Sequence, residues 1–172
     1  SKKKAYTLFE SHLINEFEIG TTKGLQQIHA YLFGGLYDFA GQIRVKSISK
    51  GGYPFVYAQH LKNTLEKIDT LPQTTLNEII LKYTEMNKAH PFMEGNGRST
   101  RIWLDMMLKK ELKKCVDWSK IKKEQYMNAM IISTVDYTVA LQLITNALTT
   151  KINDREMYMK GIDYSYYYEE NN

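Results

Sequence analysis

The chain has 172 residues, 43% of them hydrophobic and 24% charged, which excludes a disordered or fibrous polypeptide. Its net charge is +4, from 23 Lys and Arg against 19 Asp and Glu, too mild an excess to define a nucleic-acid surface. A lone Cys115 rules out an intrachain disulfide, and no apolar run is long enough to span a membrane. One domain in the cytoplasm, with no membrane or direct nucleic-acid partner, is the expectation.

Lys2, Lys3 and Lys4 open the chain with no apolar stretch behind them, so no signal peptide is expected. Apolar residues then recur at helical spacing. Residues 5–17 and 22–33 read as helices, the second placing Leu25, Ile28, His29 and Leu32 on one face. His29 reads as packing, while His12 and His60 stand in no motif. Residues 42–49 alternate apolar with polar, as a half-exposed strand does. Lys50, Gly51 and Gly52 supply a turn, and residues 53–57 return as a second strand. Such an isolated hairpin is decoration, or a flap whose unpaired edge holds an extended segment by β-augmentation.

Helical spacing resumes over 58–69, then from Thr74 or Thr75 through Asn87, where Pro91 helps to end it beyond His90. Further helices are predicted from about Gly95 to Lys113 and over 119–133 and 136–149. The expected fold class is all-α, a helical bundle with one small β-hairpin.

Residues 90–101 read His-Pro-Phe-Met-Glu-Gly-Asn-Gly-Arg-Ser-Thr-Arg. His90 can take a proton near neutral pH, and Glu94 is a hard oxygen ligand of the kind Mg²⁺ prefers. Gly95, Asn96 and Gly97 stand at a helix mouth, where backbone N–H groups and the helix dipole favour an anion. Arg98 and Arg101, three apart, share a helix face and can clamp phosphate oxygens. Each residue alone is commonplace in a turn between two helices. Together they point to phosphate chemistry at a nucleotide.

This stretch resembles the signature of the Fic family, His-x-Phe-x-Asp/Glu-Gly-Asn-Gly-Arg-x-x-Arg, at every specified position. The resemblance implies a Fic-type bundle with its flap at about 42–57 and a protein adenylyltransferase that moves AMP from ATP to a Tyr, Thr or Ser hydroxyl. It implies His90 as general base and Glu94 as ligand of a Mg²⁺ ion bridging the α- and β-phosphates. Backbone N–H groups from Gly95 to Arg98, with the Asn96 side chain, would cradle phosphate oxygens. Arg98 would hold the β- and Arg101 the γ-phosphate, while Lys50, Gly51 and Gly52 pin the target segment over His90. Gly97 stands where a phosphorylating branch of the family has Lys, which favours nucleotidyl transfer. Some bacterial members modify type II topoisomerase subunits such as DNA gyrase B, the partner class implied here.

Residues 1–152 are expected to form the catalytic domain and 153–172 a separate tail, with Asp154 or Asp163 as a cap. The tail's Ser165-Tyr166-Tyr167-Tyr168-Glu169 resembles the family's C-terminal inhibitory pattern, Ser/Thr-x-x-x-Glu-Gly/Asn, with Glu170 departing at the last position. A register through Glu170 and Asn171 stays open, although it puts Tyr166 where Ser or Thr belongs. Ser165 and Glu169 are four apart, so a helix turns them the same way. The resemblance implies a bidentate pair between that carboxylate and Arg101, which would deny Arg101 to the γ-phosphate. Tyr166 is the candidate for self-modification, and a homo-oligomer holding the tail in place is a further expectation. Two alternatives stand beside this reading: transfer of another nucleotide or phosphate-containing group, and a catalytically silent basic helical binding module.

Overall fold

Eight α-helices and two short antiparallel ribbons make up the computed structural model, which describes residues 1–170. Helix α1 (Lys2–Glu10) stops earlier than its spacing predicts. His12 takes a left-handed conformation (φ 61°), and the chain continues as a 3-10 turn, Leu13–Glu16. Helix α2 (Thr22–Phe33) begins where Thr21 accepts a hydrogen bond from Gly24 N–H, an N-cap that satisfies one free donor of the first turn.

The flap is much shorter than the alternation predicts. Its strands are β1 (Ser49–Lys50) and β2 (Tyr53–Pro54), paired antiparallel with Lys50 opposite Tyr53. Residues 42–48 are not a strand, and Arg44 is the reason. The alternation makes it a solvent-facing position, yet it is 4% exposed. Its backbone N–H donates to Pro91 O, and its guanidinium donates to the carbonyls of His90, Lys46, Val56 and Ala89. A cation buried this deeply needs acceptors on every side, and the chain bends to supply them.

Helix α3 (Ala58–Thr70) packs on α4 (Leu76–Ala89), which opens with a capping box between Thr75 and Glu78. Helix α5 (Asn96–Leu112) runs through the middle of the core and packs against α2 and α4. Trp103, Leu104, Met107 and Leu108 on α5 are each 0% exposed. Burying side chains of this kind is worth about 1.5–3 kcal/mol apiece, which fixes where the helix begins. Trp103 Nε1 also donates to Thr21 O at 2.9 Å, tying α5 to the cap of α2.

Beyond α5 a second ribbon forms from β3 (Cys115–Val116) and β4 (Leu148–Thr149), correcting the expectation of a single hairpin. Helix α6 (Lys123–Ile132) follows a 3-10 turn at Trp118–Lys120 and so starts later than predicted. Helix α7 (Thr138–Thr145) ends early because the chain extends to pair as β4. Helix α8 (Arg155–Tyr167), capped by Asp154, packs on α1 and α5, and its Ile162 and the following Tyr168 enter the common core. Among the described residues no helix is long and apolar enough to cross a membrane.

Candidate active site

His90 closes α4 in a left-handed conformation, φ 49° and ψ 66°. That geometry is uncommon for a non-glycine residue, and the surrounding bonds impose it. His90 N–H donates to Met86 O at 2.9 Å, and Arg44 Nε donates to His90 O at 2.7 Å. Phe55, just past β2, lies flat on the imidazole with ring centroids 3.6 Å apart. Nδ1 is 3.1 Å from Asn87 O, which can only accept, so Nδ1 carries the hydrogen and Nε2 is left bare. Burial lowers the His90 pKa from 6.5 to about 4, with the charges of Lys50 and Arg44 adding to it. The ring is therefore neutral at pH 7 and ready to accept a proton.

The loop after His90 is locked from inside. Asn96 Oδ1 accepts from Phe92 N–H at 2.9 Å, and its Nδ2 donates to Phe92 O at 2.7 Å. This corrects the expectation that the Asn96 amide reaches a phosphate, because both of its ends are occupied in closing the loop. His29 does more than pack. It is 0% exposed, its Nδ1 accepts from Gly41 N–H and its Nε2 donates to Glu94 O at 2.8 Å. It also stacks on Phe92, centroids 3.8 Å apart, so one buried ring joins α2, the approach to the flap and the backbone of Glu94.

The Glu94 carboxylate itself is 61% exposed and stands 3.6 Å from Arg98. Mg²⁺ is commonly held by one or two carboxylates, with substrate phosphates and water completing the shell, and a single exposed carboxylate beside an anion site fits that habit. Gly95, at φ 79°, starts α5. The N–H groups of Asn96, Gly97 and Arg98 find no acceptor among the described residues. They form the positive end of the helix. A Cβ at Gly97 would lie 2.3 Å from Glu169 Oε1 and 2.8 Å from Arg101, so a larger residue there would make those two side-chain ends shift. Arg98 lies over the Phe33 ring at 4.9 Å and the Tyr166 ring at 5.5 Å, and its buried Nε has no hydrogen-bond partner. An unmet buried donor is costly, and an anion at this helix end would satisfy it.

Arg101 is the opposite case. It is 1% exposed; Nε donates to Ser165 Oγ, one terminal nitrogen to the Tyr126 hydroxyl, and the other to Ser165 O and Glu169 Oε1, both at 2.7 Å. Its guanidinium also lies beside the stacked Tyr126 and Tyr168 rings, 5.1 and 5.3 Å from their centroids. The pair with Glu169 is not the bidentate one expected, because Ser165 takes the edge that would have completed it. Glu169 Oε2 instead faces Lys50 Nζ of the flap at 3.6 Å. Burial works against the Glu169 charge, but Arg101 outweighs it and holds the carboxyl below its ordinary pKa.

Glu169 lies just beyond the end of α8, where its N–H donates to Tyr166 O. In the alternative register, Glu170 bonds through its backbone, its N–H to Tyr167 O and its carbonyl to Lys123, and Asn171 and Asn172 lie outside the described residues. The Tyr166 hydroxyl meets Ser1 Oγ at 2.7 Å, whereas Tyr168 is buried and donates to the carbonyls of Trp118 and Ile121. Gly51 and Gly52 sit at the exposed tip of the flap with positive φ, 56° and 82°. His12 and His60 lie away from the site on exposed positions. Sequence reasoning missed Arg44, Phe55 and Tyr126. None left a local signal: the alternation reads Arg44 as solvent-facing, and the carbonyls it serves at Ala89 and His90 lie far along the chain.

A neutral imidazole, an exposed carboxylate and a helix start with free N–H groups are thus brought together on an all-α bundle. Solved structures share the scaffold. The Bartonella tribocorum effector BepC, crystallised with bound AMPPNP, superposes with a TM-score of 0.70 at 18% identity, covering 86% of this chain and 84% of that one. The chain belongs to the Fic/DOC family, which matches residues 20–108, from the start of α2 through most of α5. It is 30% identical over 141 residues to the protein adenylyltransferase VbhT of Bartonella schoenbuchensis. It is also 30% identical over 118 residues to the probable protein adenylyltransferase y4lH of Sinorhizobium fredii. These alignments take in 70% and 62% of this chain, and the chain spans 29% and 61% of those two relatives.

Proposed function

We propose that this chain transfers AMP from ATP to a Tyr, Thr or Ser hydroxyl of a protein and that its tail holds it inactive. The observation that carries the reading is the neutral His90 with a bare Nε2, beside three free N–H groups and the unpartnered Nε of Arg98. His90 Nε2 takes the hydroxyl proton as that oxygen bonds to the α-phosphorus. The bond from the α-phosphorus to the bridging oxygen breaks, and pyrophosphate leaves. A positioned base contributes typically about 10²–10⁴-fold. The N–H groups of Asn96, Gly97 and Arg98 receive phosphate oxygens, and Arg98 adds its guanidinium. Mg²⁺, held by Glu94, would supply charge neutralisation on the α- and β-phosphates.

Arg101 is the residue for the γ-phosphate, and here Glu169 and Ser165 occupy it. A triphosphate that cannot reach Arg101 would lie with its α-phosphorus out of line, so chemistry waits on release of the tail. The exposed flap edge is suited to an extended target segment, and the names of the adenylyltransferase relatives support AMP as the group moved. A type II topoisomerase subunit such as DNA gyrase B is the first target to try. Tyr166 is the first site to inspect for self-modification.

The test compares the intact chain, Glu169→Gly and His90→Ala with ATP carrying a label in its α-phosphate, Mg²⁺ and a cell lysate. Losing the carboxylate removes a charge-assisted contact worth about 1.5–3 kcal/mol, so incorporation should rise roughly 10- to 100-fold. His90→Ala should label nothing, and mass spectrometry of the modified protein should find AMP. A folded Glu169→Gly chain that labels no protein, including itself, or a modified target carrying another group, overturns the reading.

A further inference from the structure

Beside Arg101, α1, the Leu13–Glu16 turn, α5 and α8 border a cavity of about 500 Å³ that opens to solvent. It touches Arg101 and Ser165 at its inner end but none of His90, Glu94 or Arg98. Its walls are largely apolar, with Ile102 and Met106 from α5 facing Met157 and Ile162 from α8. Ligand pockets commonly run about 300–1,000 Å³, a range this volume falls in.

The mouth is charged. Lys109, Lys110 and Lys113 at the end of α5 meet Lys151, which arrives from the stretch after β4. None of the four has a carboxylate within ion-pair distance among the described residues. Most lysines of the described residues share that state, so it is the convergence of four on one opening that marks the mouth. Favourable contact with the helix C-terminus accounts for cations in the last turn of α5. It does not account for Lys151, which belongs to another segment and converges on the same opening.

Two acidic groups line the space. Asp154 is committed to capping α8, accepting from Met157 N–H at 2.8 Å. Asp105 lies on the floor, one oxygen taking Val116 N–H and the other Trp118 Nε1–H. It keeps part of its surface accessible and lines the cavity, so that surface faces the open space. Burial raises its pKa to about 7 despite those two donors, so the floor is not a fixed full anion.

We propose that this cavity binds a small anionic amphiphile, a hydrocarbon chain ending in a carboxylate, with its tail between α5 and α8 and its head among the four lysines. The site is separate from the nucleotide end and does not depend on AMP transfer being the reaction. The apolar stretch between α5 and α8 suits a hydrocarbon tail, while the mouth selects the sign of the head group.

The test titrates decanoate, below its micelle concentration, into the intact chain by calorimetry, with decyltrimethylammonium as the same tail under the opposite charge. Saturable binding of one decanoate is expected, with the cation at least about tenfold weaker. Met106→Trp, which fills the cavity, should abolish binding. Lys110→Glu with Lys113→Glu, both on exposed positions, should weaken decanoate about tenfold while the circular dichroism spectrum shows the fold kept, and keeps the test alive if Met106→Trp fails to fold. No saturable binding by the folded intact chain overturns the proposal. So does equal binding of the two amphiphiles, or charge reversal that leaves the affinity unchanged.

Discussion

The motif loop and the flap meet over one imidazole but are built in opposite ways. The loop is held by buried bonds at every turn: Asn96 to both backbone groups of Phe92, His29 to Glu94 O, Arg44 to the carbonyls of Ala89 and His90. The flap has two strands of two residues each, exposed throughout, and reaches the site through Phe55 and Lys50. The loop's groups are fixed by bonds to main-chain atoms, while the exposed flap carries little of the fold's stability.

Removing the group the loop exists to hold has the largest expected effect. His90→Ala should lower AMP transfer by about 10²–10⁴-fold while leaving ATP affinity unchanged, measured by equilibrium binding beside single-turnover rates. Next comes the side chain that ties loop to flap. Arg44→Ala strips several buried carbonyls of their donor and should cost about 3 kcal/mol in urea unfolding. Arg44→Lys should not restore it, since one ammonium cannot reproduce a planar fork.

The loop also sets a pH dependence. His90 titrates near 6.5 when unfolded and near 4 when folded, so between those values the unfolded chain binds the extra proton. This contribution to stability is intact above about pH 6.5 and is lost as pH falls towards 4. The acid limb of kcat/KM should lie correspondingly nearer 4 than 6.5, in a pH–rate profile of Glu169→Gly. The smallest effect belongs to the flap. Lys50→Ala removes an ion pair whose lysine is 64% exposed, and such pairs are worth about 0–1 kcal/mol. Basal labelling should rise no more than about fivefold, with melting temperature unmoved.

What could be read from the sequence follows the same division. The motif, its helix and the helices around it were legible because their signals are local: adjacent chemistry, a capping threonine, apolar spacing. The family match at residues 20–108 agrees with the resemblance drawn from residues 90–101. The flap's true length was not legible, since it depends on Arg44 finding carbonyls near Ala89, far along the chain. Nor was the company of Arg101, where Tyr126 comes from a helix whose tyrosine looked like ordinary core. The Asn96 amide misled because its partner is four residues back, in a loop whose closure no periodicity records.

Phe55 covers one face of the His90 ring at 3.6 Å, which leaves a visiting hydroxyl to approach along the edge, in the plane of the ring. When the imidazole accepts that proton it becomes a cation resting on the electron-rich face of a benzene ring. Such contacts are worth about 0.5–2 kcal/mol, so the flap would cushion that fleeting charge.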